Sequence, residues 1–280
     1  MIRNRLAELL AERRLKISRV SNDIPNLSRN TITSTAQNDT KMIQNETINS
    51  LCQYLGISPA DFFEYLPFDV SFSASANNIT GIVTSNVDVS QLIVTNIELD
   101  LYAKQTFLNP QYEGKNQTFD LTVKQVEPAT IPMLLDGGES WTDKTTNIYF
   151  SIMLGHTSDT ETYETQHNSF NNFWNTITPG FMPIVQGLLM DECTRATREG
   201  IEKSLENTEF DINEYYDPSV DWKKVKGMYT FSFKNAFSEQ KSSGATIKFQ
   251  PAKPSANKNN DPFSSDNNDQ LDISDDDLPF

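Results

Sequence analysis

The spacing of apolar residues changes at Leu66-Pro67, and this change separates an N-terminal helical region from the rest of the chain. Before this point apolar residues recur at the 3.6-residue period of a helix, whereas from Phe68 onward Val70 and Phe72 alternate with polar residues as in a strand. From Pro251 the chain consists mostly of Pro, Asn, Ser, Lys and Asp. A segment of this composition cannot bury enough apolar surface to fold. These patterns predict an α+β multidomain chain with an all-α head at 1–67, a mainly antiparallel β domain with helices at 68–250, and a disordered acidic tail at 251–280.

Five helices are predicted in the head. Their bounds are Ile2–Arg14, Ile17–Asp23, Ser28–Asn38, Asn45–Leu55 and a fifth helix starting at Ser58-Pro59. Ser28 and Ser58 are good N-cap residues, and Gly56 suits the C-terminal cap position of the fourth helix. The residues expected to face inward are Ile2, Leu6, Leu9, Leu10, Val20, Ile32, Ile48, Leu51, Cys52, Leu55, Phe62, Phe63 and Leu66.

The third predicted helix leaves a polar face outward. That face consists of Arg29, Asn30, Thr31, Ser34 and Gln37. Guanidinium, amide and hydroxyl groups are the ones that can hydrogen-bond base edges and phosphates in a major groove. A polar helix face is more often simply solvated, so this face alone does not establish contact with DNA.

The order of the helices and three short runs point to a known family. Lys16-Ile17-Ser18-Arg19, Ser28-Arg29-Asn30-Thr31 and Leu51–Pro59 resemble the lambda-repressor/Cro-type (Xre) family of helix-turn-helix phage repressors over about a quarter of the chain. The resemblance implies sequence-specific binding to double-stranded operator DNA, usually as a dimer on paired half-sites. It places base contacts at Arg29, Asn30 and Ser34. It places phosphate contacts at Arg19, Ser28, Thr31 and the loop from Asn38 to Lys41.

Two positions depart from the family pattern. The turn before the third helix, with Pro25-Asn26, is one residue longer than usual, which affects the expected angle of that helix. The glycine expected after the helix is Asn38, and asparagine tolerates the left-handed conformation that this position needs.

The middle region reads as strands followed by helices and a closing strand pair. Strands are predicted from Phe68 and at Leu92–Ala103, Thr118–Val126 and Asn147–Leu154, with loops at Leu108–Asn116 and Gly137-Gly138. Helices are predicted at Phe170–Ile177 and Pro183–Leu205. A final pair of strands is predicted at Met228–Lys234 and Ala245–Gln250. His156 and His167 lack metal-ligand spacing, and no phosphate-binding loop occurs. The sequence therefore predicts no enzyme, cofactor or metal site here, and the expected role is oligomerisation, as a homodimer or larger assembly, and regulation. Many phage repressors carry a self-cleaving domain, but the Ala-Gly or Cys-Gly cleavage dipeptide that such domains need is missing here.

The net charge of −15 is unevenly distributed. Residues 1–45 carry eight basic against four acidic residues, whereas residues 251–280 carry two lysines against seven aspartates. A basic head fits local contact with DNA, while the acidic remainder repels it. Without an apolar run that could cross a membrane or a signal peptide, and with Cys52 and Cys193 expected as buried free thiols, the sequence favours the cytoplasm.

The last ten residues form a second recognisable motif. Leu271–Phe280, with Asp261-Pro262-Phe263 upstream, resembles the C-terminal tip of bacterial single-stranded-DNA-binding protein (SSB). A terminal ring and carboxylate suit an apolar pocket with a basic rim, and the aspartates steer the tip toward basic surfaces. The resemblance implies partners among the replication and repair proteins that dock SSB, such as RecO, PriA or RecQ-type helicases. The residues predicted to dock are Asp272, Ile273, Asp275, Asp276, Asp277, Leu278, Pro279 and Phe280.

Two functional hypotheses follow. The first is a DNA-binding transcriptional regulator, a phage or prophage repressor whose SSB-like tip couples derepression to DNA damage without self-cleavage. The second is a phage replication or recombination accessory protein, in which the middle sheet binds single strands and the tail recruits host proteins. A basic groove with exposed aromatic residues on the sheet would favour the second hypothesis, but the composition of 68–250 is acidic.

Overall fold

The computed structural model describes residues 1–38, 42–86, 89–134, 139–140, 143–154, 160–207, 219–231 and 246–248. The elements of the head are β1 (Ile2–Asn4), α1 (Leu6–Glu12), α2 (Ile17–Asp23), α3 (Arg29–Ala36), α4 (Asn45–Leu55), α5 (Pro59–Phe62) and β2 (Phe63–Tyr65). Helices α2 and α4 have the predicted bounds, and the predicted caps are confirmed. Ser28 caps α3, Ser58 forms a capping box with Asp61, and Gly56 ends α4 at a φ of 67°.

The prediction of an all-α head is wrong at both of its ends. Strand β1 pairs antiparallel with β2, which places Arg3 opposite Glu64. Helix α1 therefore begins only at Leu6, whose backbone N–H donates to Asn4 Oδ1 at 3.0 Å, and Ile2 is 67% exposed instead of buried. Helix α5 ends at Phe62 for the same reason. Pairing between residues that lie 61 positions apart overrides the local helical spacing.

The remaining elements form a sheet with two long helices. They are β3 (Asp69–Asn86), β4 (Val89–Thr106), a 3₁₀ turn (Pro110–Lys115), β5 (Gln117–Gln125), β6 (Ala129–Leu134), β7 (Thr146–Leu154), α6 (Thr160–Thr176), α7 (Met182–Glu206), β8 (Ser219–Val220), a second 3₁₀ turn (Trp222–Lys224), β9 (Val225–Phe231) and β10 (Thr246–Lys248). The strands lie in the order β10-β9-β7-β5-β4-β6-β8, with β3 beside β4. All of these pairs are antiparallel except β7–β9. The prediction of a mainly antiparallel sheet is confirmed, and the parallel pair follows from the long crossover through α6 and α7.

Several parts of the middle region differ from their predicted form, and strand β8 has no predicted counterpart. Strand β6 was missed because Pro132, which faces Gln91 of β4, resembles a strand breaker in the sequence. Helix α6 begins ten residues before the predicted Phe170, in a stretch too polar to show helical spacing. The predicted loop at 108–116 contains the first 3₁₀ turn. The Gly137-Gly138 turn, His156 and the tail lie outside the described residues.

The buried apolar residues of the described chain form two separate clusters. One lies among α1 to α5 and includes Phe62, and the other lies between the sheet and the helices α6 and α7. Leu66, predicted to belong to the head, packs in the second cluster. Cys52 and Cys193 are free and buried as predicted, and burial raises the pKa of both thiols, so neither is a reactive thiolate at neutral pH.

Candidate nucleic-acid interface

The third helix, α3, is held by its N-cap and by two buried side chains. Ser28 Oγ accepts a hydrogen bond from the backbone N–H of Thr31 at 3.0 Å. Ile32 is fully buried and Thr35 is 2% exposed, and the Thr35 hydroxyl donates to the Thr31 carbonyl at 2.7 Å. The inward anchor predicted at Ile32 is confirmed.

The lengthened turn between α2 and α3 fits without disturbing this packing. Leu27 is buried, its N–H donates to the Ile24 carbonyl at 3.0 Å, and its own carbonyl accepts from Ser21 Oγ at 3.3 Å. Pro25 and Asn26 project into solvent. The extra residue is therefore accommodated at the surface, between two helices that remain anchored by buried leucine and isoleucine side chains.

The outward face of α3 contains the side chains predicted to contact DNA. Arg29, Asn30 and Gln37 are exposed. Thr31 and Ser34 are half-buried and hydrogen-bonded within the helix, since Ser34 Oγ donates to the Thr31 carbonyl at 3.1 Å and the Thr31 hydroxyl lies 2.8 Å from Ser28 Oγ. The base-contact predictions thus rest most directly on the exposed side chains at the start of the helix.

One further residue belongs on this face and was not singled out from the sequence. Thr33 follows Asn30 by three residues and Arg29 by four, which puts it one helical turn further along the same side. It is half-buried, and no described side chain hydrogen-bonds to it. Helical spacing counted from Arg29 would have identified it.

The end of α3 is fixed by Asn38. Its φ of 53° confirms that asparagine takes the left-handed position expected for glycine. Its side-chain Oδ1 accepts from both the backbone N–H and the side-chain amide of Asn4 at 2.8 Å, and its Nδ2 donates to the Asn4 carbonyl at 3.0 Å. The Asn38 side chain, predicted as a phosphate contact, is therefore engaged within the protein. Lys41 lies outside the described residues.

Two acidic side chains of α1 are paired with arginines of the head. Glu8 and Glu12 form ion pairs with Arg3, Arg5 and Arg13. Arg14 and Lys16, between α1 and α2, are exposed, as is Arg29 at the start of α3. The head thus has exposed cations both between α1 and α2 and at the start of α3.

Arg19 makes a contact that DNA can replace. Its side chain is 71% exposed, and its Nε lies 3.6 Å from Asp23 Oδ2, which also accepts a hydrogen bond from the Tyr54 hydroxyl at 2.7 Å. An exposed ion pair of this kind contributes about 1 kcal/mol or less. Exchanging it for a phosphate contact therefore costs little.

The described residues also bear on metal binding and on membrane insertion. Among them no three His, Cys, Asp or Glu side chains stand close enough to hold a metal ion. His167 lies on α6 beside the amide of Asn171, at 3.2 Å from Nδ1. No described helix is both long and apolar enough to span a membrane.

Comparison with known proteins identifies the head. Residues 5–67 match the family model of the Cro/C1-type HTH DNA-binding domain. The head is similar to a Cro/C1-type helix-turn-helix domain. In this resemblance α2 and α3 correspond to the helix-turn-helix pair, and α3 stays the predicted recognition helix. No curated protein and no solved structure matches the chain. The likeness of the tail to SSB has no support from these comparisons and stays a prediction.

Proposed function

We propose that the protein is a sequence-specific transcriptional regulator that acts as a phage-type repressor. The observation that carries this proposal is the Cro/C1-type head with a recognition helix whose exposed Arg29, Asn30 and Gln37 face outward from a buried Ile32. Repressors of this architecture read base edges with the first residues of the recognition helix. Glu8 and Glu12 are paired with arginines and therefore oppose this contact less than free carboxylates would.

Selection from a random library of DNA duplexes tests this proposal. The full chain should enrich duplexes that contain one sequence motif. If the protein binds as a homodimer, each enriched duplex should contain the motif twice, as inverted half-sites with centres about 34 Å apart. A single enriched half-site would support DNA reading and contradict the dimer. Recovery of unenriched sequence would contradict the proposed function.

The alternative role, single-strand binding by the sheet, is disfavoured by the outer face of that sheet. Tyr102 and Tyr149 are exposed there, at 43% and 40%. Asp100 and Asp120 stand on the same face, where burial and the neighbouring Asp100 raise the pKa of Asp120. Carboxylates at this position repel phosphates and offset the lysines of the same face, so the charge of the face does not favour single-strand binding.

We further propose that the tail docks replication and repair proteins that bind the SSB tip. Such docking would couple derepression to DNA damage if the partner bound the DNA-free form preferentially. The support is the sequence of Leu271–Phe280 and the missing self-cleavage dipeptide.

Replacing Phe280 by alanine should weaken binding to such a partner roughly tenfold, since one buried aromatic anchor carries much of a short peptide's affinity. Binding of the full chain to purified RecO-, PriA- and RecQ-type proteins measures this effect. Phe263→Ala is the matched control, because Phe263 also follows a proline in the acidic tail but lies upstream. Equal binding by both variants would reduce the tail to an acidic arm.

A further inference from the structure

Strand β1 links the recognition helix to the middle domain through two neighbouring residues. Asn4 is 2% exposed and contacts the end of α3, where its side-chain amide donates to the Thr35 carbonyl at 2.8 Å and its backbone hydrogen-bonds the Asn38 side chain. A rotation or shift of β1 therefore moves the end of the recognition helix.

Arg3, the neighbour of Asn4, points toward the middle domain. Its side chain is 7% exposed, forms an ion pair with Glu8 at 2.7 Å and another with Glu64, and lies over the ring of Phe181 at 5.7 Å. The Thr178 hydroxyl donates to the same Glu64 carboxylate. Burial alone would raise the pKa of Glu64, but hydrogen bonds from Thr178 and Arg3 outweigh it and the pKa is lowered, so the carboxylate stays charged.

Thr178 and Phe181 belong to the elbow between α6 and α7, which we define as residues 177–181. Ile177 and Phe181 anchor this elbow in the core of the middle domain, at 4% and 0% exposure. Gly180 leaves room for the guanidinium, since a Cβ there would overlap Arg3. The contacts thus run without a gap from the middle-domain core through Glu64 and Arg3 to Asn4 and the recognition helix.

We propose that the elbow positions the recognition helix through Arg3 and Asn4, so that the middle domain controls the DNA affinity of the head. This inference rests on the proposed DNA-binding function and adds the route by which that function is regulated. A buried, fully paired polar network holds its members in one arrangement, because any displacement leaves a buried charge or amide unpaired. Arg3, Asn4, Glu64 and Thr178 are therefore positioning residues that need not touch DNA.

Gly180→Ala tests the route without altering any charge. The added methyl group must push the Arg3 guanidinium from its place, while the matched control Gly187→Ala meets no atom within 4 Å. In fluorescence anisotropy titrations of the full chain with its selected duplex at fixed salt, Gly180→Ala should weaken binding about fivefold, at the lower end of typical coupling between sites. Gly187→Ala should bind as the unaltered chain does.

A second pair of variants separates positioning from a general loss of structure. Thr178→Val removes the hydroxyl that donates to Glu64 and should weaken DNA binding, as Gly180→Ala does. Thr178→Ser retains a hydroxyl and should bind DNA as the unaltered chain does. Thr176→Val is the control, since that hydroxyl donates only to the nearby Phe173 carbonyl at 2.6 Å. The fraction of active protein and the circular dichroism spectrum should stay unchanged in all variants.

Unchanged affinity in a folded Gly180→Ala chain and in Thr178→Val would overturn the inference and leave DNA binding by the head intact. If Gly180→Ala fails to fold, the comparison of Thr178→Val with Thr178→Ser decides. Absence of binding by the unaltered chain would instead overturn the DNA-binding function, and the inference with it.

Discussion

Replacing Ile32 by alanine is expected to destabilise the head by about 2–5 kcal/mol, the range for truncating a buried aliphatic side chain. Ile32 is fully buried and is the residue that fixes the recognition helix to the head core. A single core in so small a unit rarely supplies more than about 3–5 kcal/mol. The substitution should therefore unfold most of the head and abolish DNA binding.

Two optical signals distinguish this outcome from global unfolding. All three tryptophans, Trp141, Trp174 and Trp222, lie beyond the head, so tryptophan fluorescence during urea denaturation reports on the middle domain, whereas circular dichroism at 222 nm includes the head helices. Ile32→Ala should lower the urea midpoint of the circular dichroism transition and leave that of the fluorescence transition. Ile2→Ala, at a position 67% exposed, is the matched control. It should change the free energy of unfolding reported by either signal by no more than about 0.5 kcal/mol. Coincident shifts in both signals would show that the two clusters do not unfold separately.

Replacing Asn30 by alanine is expected to weaken binding to the selected duplex by about 1–3 kcal/mol, or roughly 5–150-fold. The Asn30 side chain is exposed at the start of the recognition helix, where an asparagine amide can bond bidentately to adenine. Because the change removes no charge, affinity for random duplex DNA and the salt dependence of binding should stay the same.

Asn49→Ala is the control for this prediction. Asn49 is also an exposed helical asparagine, but it lies on α4, where its side chain accepts a hydrogen bond from Gln53 at 3.3 Å. Titration of both variants against the selected and a scrambled duplex gives the comparison. Equal losses on both duplexes, or no loss for Asn30→Ala, would remove Asn30 from the base-reading set.

The parts of the head that could be predicted from sequence are those with local causes. Helices α2 and α4 have their predicted bounds, and the end of α4 has a local cause in Gly56 with its positive φ. The cap at Ser28 and the left-handed Asn38 are local in the same way. A helix end that is fixed by its own neighbouring residues can be predicted without knowledge of the rest of the chain.

The parts that could not be predicted depend on contacts between distant positions. Strand β1 has apolar spacing compatible with a helix, and only its pairing with β2 makes it a strand. The hydrogen bonds between Asn4 and Asn38 span 34 positions, and that from Thr178 to Glu64 spans 114. Sequence reasoning could thus predict the exposed face of α3 that we propose reads DNA, but not the contacts that join α3 to the middle domain.

Reading of DNA sequence by α3 is tested most directly by the specificity ratio of the unaltered full chain. The dissociation constants for the selected duplex and for a scrambled duplex of equal length and composition are measured at one fixed salt concentration. We expect the selected duplex to bind at least about 10³-fold more tightly, as specific operators do. A ratio near one would show that the head binds DNA through charge alone or does not bind it.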